Sequence, residues 1–567
     1  MKKTFSIIAC CFIAQLAVGQ TAPKWAEKAK KAVFSIVTYD NENKIKGTGN
    51  GFYIDAQGTA LSDFTLFEGA ERAVIINADG KQADVSRIAG ANSIYDIVKF
   101  ITPVDKKQVS LTLATQPAKV GETVYLLPYS TQKATTCQTG KVTAVDSIGK
   151  NSFYYTLEMK TGEKTVSCPI MNANGQVLGL IQKNASEEST ESYAIGATYG
   201  ASLSIGALSM NDAALSSIAI PMALPDDEEQ ALVFLYMSSQ QMPEARYLLL
   251  LEDFMNKFPA SYDGYLRRAL YYMENKKAEG YAQADADLNK AIDSAKQKSE
   301  VKHHVAKAIY AYLISLQEGE TAYESWTYDR ALNLIREALK EDAQPLYMQM
   351  EGDILYAQKN YAEAFNSFQK LNSTPMASAA TYYSAAKAKQ MTEGSDINEV
   401  IALMDSVIVR LNKPYILESA PYFYERANLK ADAKKYREAV LDYNQFEEIV
   451  GSNATAAFYF EREQVEMQCR MYQQALNDII KADELQPNNV DILLEKGAVH
   501  LRVNQLDEAL AAFQKVVSLD SQSGAGYRLL GYAQALKKMK KEACANFEKA
   551  KALGDTLVDK LIEKYCK

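Results

Sequence analysis

Histidine is nearly missing from this chain. Of 567 residues only three are histidine, His303, His304 and His500, and none precedes residue 303. The first half therefore has no imidazole to act as general base or metal ligand at neutral pH. Cysteine is sparse too. There are seven, and no pair shows the CxxC spacing of a zinc site or redox motif. Adjacent His303 and His304 would point about 100° apart on a helix, which does not suit one ion, so no metal and no cofactor is expected. Basic excess is also lacking: the net charge is −8, with the first 225 residues near neutral and the acidic surplus beyond them. Nucleic acid is thereby disfavoured as a partner. With 28 glycines and 14 prolines the chain is not low-complexity.

Long apolar runs are confined to the start. Lys2 and Lys3 precede an apolar stretch from Phe5 to Val18, and Ala17-Val18-Gly19 offers a small-x-small cleavage site before Gln20. Residues 1–19 read as a secretory signal peptide. Ile7-Ile8-Ala9-Cys10 loosely mimics a lipoprotein box, but too little apolar sequence precedes it. No later run of about 20 apolar residues occurs, so no transmembrane segment is expected in the mature chain. The expected location is the periplasm, with the extracellular medium as the alternative. Cys10 and Cys11 leave with the leader. Cys137, Cys168, Cys469, Cys544 and Cys566 remain, an odd number.

What is present falls into two periods. From Val33 to about Ser204, short apolar runs such as Val33–Tyr39, Ala73–Ile76 and Thr123–Leu127 alternate with turn sequences. Asp55-Ala56-Gln57-Gly58, Asn77-Ala78-Asp79-Gly80 and Asn172-Ala173-Asn174-Gly175 are examples. This is an all-β pattern. From Glu228 onward apolar residues recur three and four apart, the helical period. Pro221 and Pro225 mark the change, and Asp226 to Glu229 place acids where a helix N-terminus favours them. The domains are expected at 20–207, 228–555 and a capping helix at 556–567, with 208–227 as a linker.

The helical half repeats itself. Gly497 and Gly531 lie 34 residues apart, and Ala475, Ala509 and Ala543 keep that step. Ile479, Phe513 and Phe547 follow those alanines at four residues. Tyr361-Ala362-Glu363-Ala364, Tyr436-Arg437-Glu438-Ala439 and Leu506-Asp507-Glu508-Ala509 are the same element again. This half resembles the tetratricopeptide repeat family, with seven or eight repeats. The resemblance implies that first helices of successive pairs line a groove for peptides or partner helices. By register the inward positions are Tyr356, Tyr424, Phe460, Gln464, Met467, Arg528 and Tyr532. A net-acidic half without a run of inward Lys and Arg suits protein or peptide better than an acidic C-terminus.

The β half resembles trypsin-like serine proteases of the HtrA/Deg type, in order and spacing. Gly47-Thr48-Gly49-Asn50-Gly51-Phe52-Tyr53-Ile54 matches the strand entering the first barrel. Gly58 to Ala70 matches the histidine-bearing segment, and Ser93-Ile94-Tyr95-Asp96-Ile97-Val98 the aspartate-bearing one. Thr165 to Asn172 matches the nucleophile loop. The resemblance implies a trypsin-like double barrel, but its chemistry is missing. Thr65 stands in the histidine slot, Asp96 in the aspartate slot and Val166 in the nucleophile slot. Lys164, Ser167 and Cys168 occupy a loop that normally turns on glycine to aim two N–H groups at an oxyanion. A Cys137–Cys168 disulfide would cross-link this module, and a Cys544–Cys566 disulfide would staple the final helix to the last repeat.

The expected function is an exported protein-binding scaffold or adaptor, carrying an inactive protease-like module and a repeat surface. Two alternatives stay open: a serine or cysteine endopeptidase with Ser167 or Cys168 as an unorthodox nucleophile, and a purely structural plug on the solenoid.

Overall fold

The structure, a computed structural model, describes residues 22–104, 108–186 and 188–567. The expected signal peptide lies outside the described residues. The chain forms two compact units, divided between Tyr271 and Tyr272. A β-sheet and barrel region comes first, and a long helical repeat array follows.

Seven strands build the first sheet: β1 Val33–Tyr39, β2 Ile45–Tyr53, β3 Thr59–Ser62, β4 Arg72–Ile76, β5 Gln82–Asp84, β6 Arg87–Asn92 and β7 Ile97–Ile101. Their order is β5-β4-β1-β2-β3-β7-β6. The end strands β5 and β6 are consecutive in the chain. Across the two residues between them, Val85 N–H donates to Ala73 O and Ser86 N–H to Ile101 O. The sheet is thus rolled, with a covalent seam in place of a ladder. Six more strands close a barrel by hydrogen bonds: β8 Thr123–Leu126, β9 Gln138–Gly149, β10 Ser152–Glu158, β11 Pro169–Met171, β12 Val177–Ile181 and β13 Glu191–Gly196.

The turns follow from their side chains. Asp40, Asp55, Asn77 and Asn172 each accept backbone N–H groups two and four residues on. Such Asx turns reverse the chain locally and set the hairpin register. Phe34, Ile36, Phe52, Leu61, Phe67 and Phe100 fill the first sheet's interior, while Val124, Leu126, Leu157, Ile170 and Ile181 fill the closed barrel.

The stretch 208–227, read from sequence as a linker, is packed. Ile218, Ile220, Met222 and Leu224 are buried at alternate positions, and Met222 bridges Ile88 on β6. Ile88 N–H donates to Pro221 O and Ala223 N–H to Ile88 O. The two-residue period of Ile218 to Leu224 is the strand signal that the flanking prolines obscured, and it covers an exposed sheet edge. Helices Glu228–Ser239 and Glu244–Lys257 join the same core through Ala231, Phe234, Leu250 and Phe254. The Arg87 guanidinium grips Asp253 at 2.6 and 2.9 Å.

In the second unit, helix Lys298–Ile314 packs on Tyr328–Glu341. Further pairs follow: Pro345–Ala357 with Tyr361–Leu371, Ala379–Met391 with Ile397–Val409, and Ala420–Asp432 with Tyr436–Val450. The last three are Ala456–Gln468 with Tyr472–Leu485, Val490–Arg502 with Leu506–Leu519, and Gly524–Leu536 with Lys540–Ala552. The repeat logic is visible at the eighth residue of the first helix. A Cβ on Gly352, Gly497 or Gly531 would meet the ring of Phe368, Phe513 or Phe547, sixteen residues on, at 2.5, 2.3 and 2.8 Å. The phenyl ring fills the space that the missing side chain leaves. A recurring ion pair has the same spacing: Arg426 with Asp442 and Arg462 with Asp478. Among the described residues no helix is long and apolar enough to cross a membrane.

Candidate functional site

Thr65 lies on a single helical turn, Phe64–Phe67, whose N-cap Asp63 accepts from Leu66 N–H. Asp96 precedes β7 with φ +47°. The two slots meet. Thr65 donates its backbone N–H at 2.7 Å and its hydroxyl at 2.9 Å to the same oxygen of Asp96. The Asp96 carboxylate thus holds a hydroxyl and an amide.

Val166, the third of these positions, carries an aliphatic side chain. Val166 ends a 3₁₀ turn, Glu163–Thr165, and its N–H donates to Glu163 O at 3.3 Å. That amide is turned back on its own loop. Asn50 on β2 anchors the loop, its side-chain amide donating to Lys164 O at 3.0 Å and Val166 O at 2.9 Å. Ser167 has φ +63°, a left-handed value costly for a non-glycine residue, and its side chain is buried. Its hydroxyl donates to Asp63 at 2.7 Å, which helps to hold that conformation. Burial is the largest influence on Asp63, pushing its carboxyl above the usual aspartate range, and the Asp96 charge adds to it. A small cleft of about 150 Å³ survives beside Val166, lined by Thr161, Gly162, Gln182 and Asn184 among others.

Cys168 is fully buried in the closed barrel's core, and burial pushes its thiol up to about 12. A thiol so placed stays protonated at neutral pH and has no face open to substrate. Cys137 also carries a free thiol, which corrects the expected Cys137–Cys168 pairing. The reason is packing: Cys168 belongs to the barrel core, whereas Cys137 packs against the first core, around Phe34 and Phe52. Cys544 and Cys566 are bonded to each other.

The repeat positions named from register part company. Tyr356 lines a pocket with Tyr310, Asp353 and Tyr383. Tyr424 is half-buried, hydrogen-bonded to Glu461 and tilted against Phe446 and Phe458. Phe460 and Met467 pack against the core of their own repeats, and Gln464 is exposed. Arg528 donates to Asp555 at 2.7 Å, and Tyr532 lies edge-on to Tyr565 of the last helix. Those last two side chains therefore engage the C-terminal cap. His303 is buried, which lowers its pKa to about 4, and His500 hydrogen-bonds Gln505 at 2.7 Å. No cluster of three or more metal-ligating side chains occurs among the described residues.

Two features escaped sequence reasoning. Asp353 sits in the Tyr356 pocket and Glu463 in a repeat core. The one signal that could have found them is the small-residue position that recurs in the repeats: Asp353 follows Gly352, and Glu463 stands at the very position that holds Gly352 and Gly497.

No family model matches the chain, and no curated protein matches it. Among solved structures, the chain is similar to the active form of the Rv3671c protease from M. tuberculosis. The identity is 16%, the match covers 34% of this chain and 92% of that one, and the TM-score is 0.28.

Proposed function

We propose that this is an exported envelope protein that binds protein partners, a scaffold or adaptor whose protease-like module does not cleave peptide bonds. One observation carries the reading: Thr65 spends its N–H and its hydroxyl on Asp96, so the carboxylate slot has no imidazole to orient and no base faces a nucleophile. Serine attack needs a positioned base, and oxyanion stabilisation needs free donors. Val166 supplies neither a nucleophile nor, with its N–H bonded to Glu163 O, a free donor. The repeat pairs supply what the module lacks, a long surface of helix faces carrying polar-tipped aromatics. A Cys544–Cys566 disulfide suits an oxidising compartment such as the periplasm.

The test is direct. Mature protein is incubated with an unfolded casein substrate, a fluorophosphonate probe and a thiol-directed probe. No turnover and no labelling of Ser167 or Cys168 are expected. Cleavage that disappears in Ser167→Ala or Cys168→Ser protein would overturn the reading. Crosslinking in the native envelope, followed by recovery of the chain, is expected to retain protein partners.

A further inference from the structure

The first helices of three successive pairs, Lys298–Ile314, Pro345–Ala357 and Ala379–Met391, converge on one pocket. Tyr310, Tyr356 and Tyr383 line it, one from each helix, and Phe368 from a second helix joins them. Asp353 lines it as well. The cavity is about 190 Å³, below the roughly 300–1,000 Å³ of pockets that enclose small-molecule ligands. It has room for one side chain.

Its chemistry is selective. Aromatic faces carry partial negative charge and attract cations, more strongly where water is displaced. Asp353 adds a carboxyl group that has no hydrogen-bond or ion-pair partner among the described residues. Burial alone governs its carboxyl, raising it to about 6, with no hydrogen bond or cation lowering it. It is therefore mostly ionised at neutral pH and lacks a counter-ion. Its charge reaches Tyr310, whose own ionisation it disfavours. Lys387 also lines the pocket, but its ammonium is taken by Glu425 at 2.6 Å and Gln390 at 3.0 Å. An uncompensated, partly buried carboxylate is costly to keep unless a ligand completes it.

We propose that this pocket receives an alkylammonium side chain, a lysine of a partner protein, with Asp353 as its counter-ion and the three tyrosines around its methylene stem and charge. The inference rests on the scaffold reading and deepens it by giving the chemistry of one contact. It also differs in sign from capture of a carboxylate, since the pocket offers an acid where a carboxylate ligand would need a base.

The experiment titrates the full mature chain with a capped Gly-Lys-Gly tripeptide and with the same peptide carrying norleucine, read by saturation-transfer NMR and calorimetry. The lysine peptide is expected to bind at least about ten-fold more tightly. Asp353→Asn and Tyr356→Ala should each lose that preference, while Asp353→Asn melts at the same temperature as the parent or higher, because it removes an unpaired charge. Equal binding of the two peptides, or an undiminished preference in Asp353→Asn, overturns the proposal. Crosslinked recovery separates it from the wider reading. If the parent retains partners and Asp353→Asn retains them equally, the pocket is not their contact, although the scaffold stands. If the parent retains none, the scaffold fails and the peptide titration alone decides the pocket.

Discussion

A methyl group added to Gly497 would sit 2.3 Å from Cε1 of Phe513, a fully buried ring. Two effects oppose each other there. Alanine is the better helix former by about 1 kcal/mol. Overpacking a filled core costs about 1–3 kcal/mol. The ring is wedged between two helices and has no exit, so the clash should win. Gly497→Ala is expected to destabilise the chain, by up to about 2 kcal/mol, in urea unfolding followed by circular dichroism. Phe513→Leu in that background should recover part of the loss. If Gly497→Ala proves neutral or stabilising, the glycine serves some purpose other than admitting the ring. The pair could be read in the sequence, because glycine and aromatic recur at a fixed step of sixteen. The contact itself could not: it took coordinates to place the ring against the glycine of its own pair.

Helix Ala456–Gln468 breaks the rule its neighbours keep. At the position of Gly352 and Gly497 it carries Glu463, wholly buried, with neither carboxyl oxygen hydrogen-bonded. Glu466, one turn on, is buried too, with one oxygen unpaired. The charges felt by the two are Glu447, Asp478 and Glu495, all acidic, and a single cation, Arg462, itself committed to Asp478 and Glu447. Burial first, and these neighbours second, push both carboxyls up to about 8. The sign follows. Between the ordinary glutamate value and about 8 the folded state holds protons that the unfolded state has released. Stability is thus full below about pH 4.5 and falls as pH rises toward 8, by about 1.4 kcal/mol per pH unit for each group. Urea midpoints at pH 5 and pH 8 should show that loss, and Glu463→Ala should roughly halve the slope and raise stability at pH 8. A midpoint that does not move between the two pH values would mean that the carboxyls are solvated. Nothing in the helical period announced this cluster, since an amphipathic pattern records where apolar residues fall and is blind to an acid on the inner face.

At the scale of the whole chain, the two architectures were legible because their periods differ. The two-residue alternation with Asx-Gly turns gave the β region, and the three-and-four spacing gave the helical array. The junction was harder to read, since Pro221 and Pro225 suggested a linker although Ile218 to Leu224 alternate like a strand. Of the site, the residues Thr65, Asp96 and Val166 could be singled out by resemblance, but the bonding of Thr65 to Asp96 and the inward turn of the Val166 amide needed coordinates. The C-terminal end offers a test of how the array holds together. Its last helix, Asp559–Tyr565, has no buried residue and is tied back by Cys544–Cys566, Arg528–Asp555 and the Tyr532–Tyr565 contact. The disulfide spans 22 residues, a loop whose closure is worth about 3 kcal/mol in the chain-entropy account. In a repeat array each pair contacts mainly its neighbours, so a loss at the end should stay there. Cys566→Ser is therefore expected to speed amide hydrogen exchange across residues 524–567 while leaving the pairs between Pro345 and Val409 unchanged. Exchange that quickens evenly along the array would show one cooperative body instead, and the cap would then be holding every repeat at once.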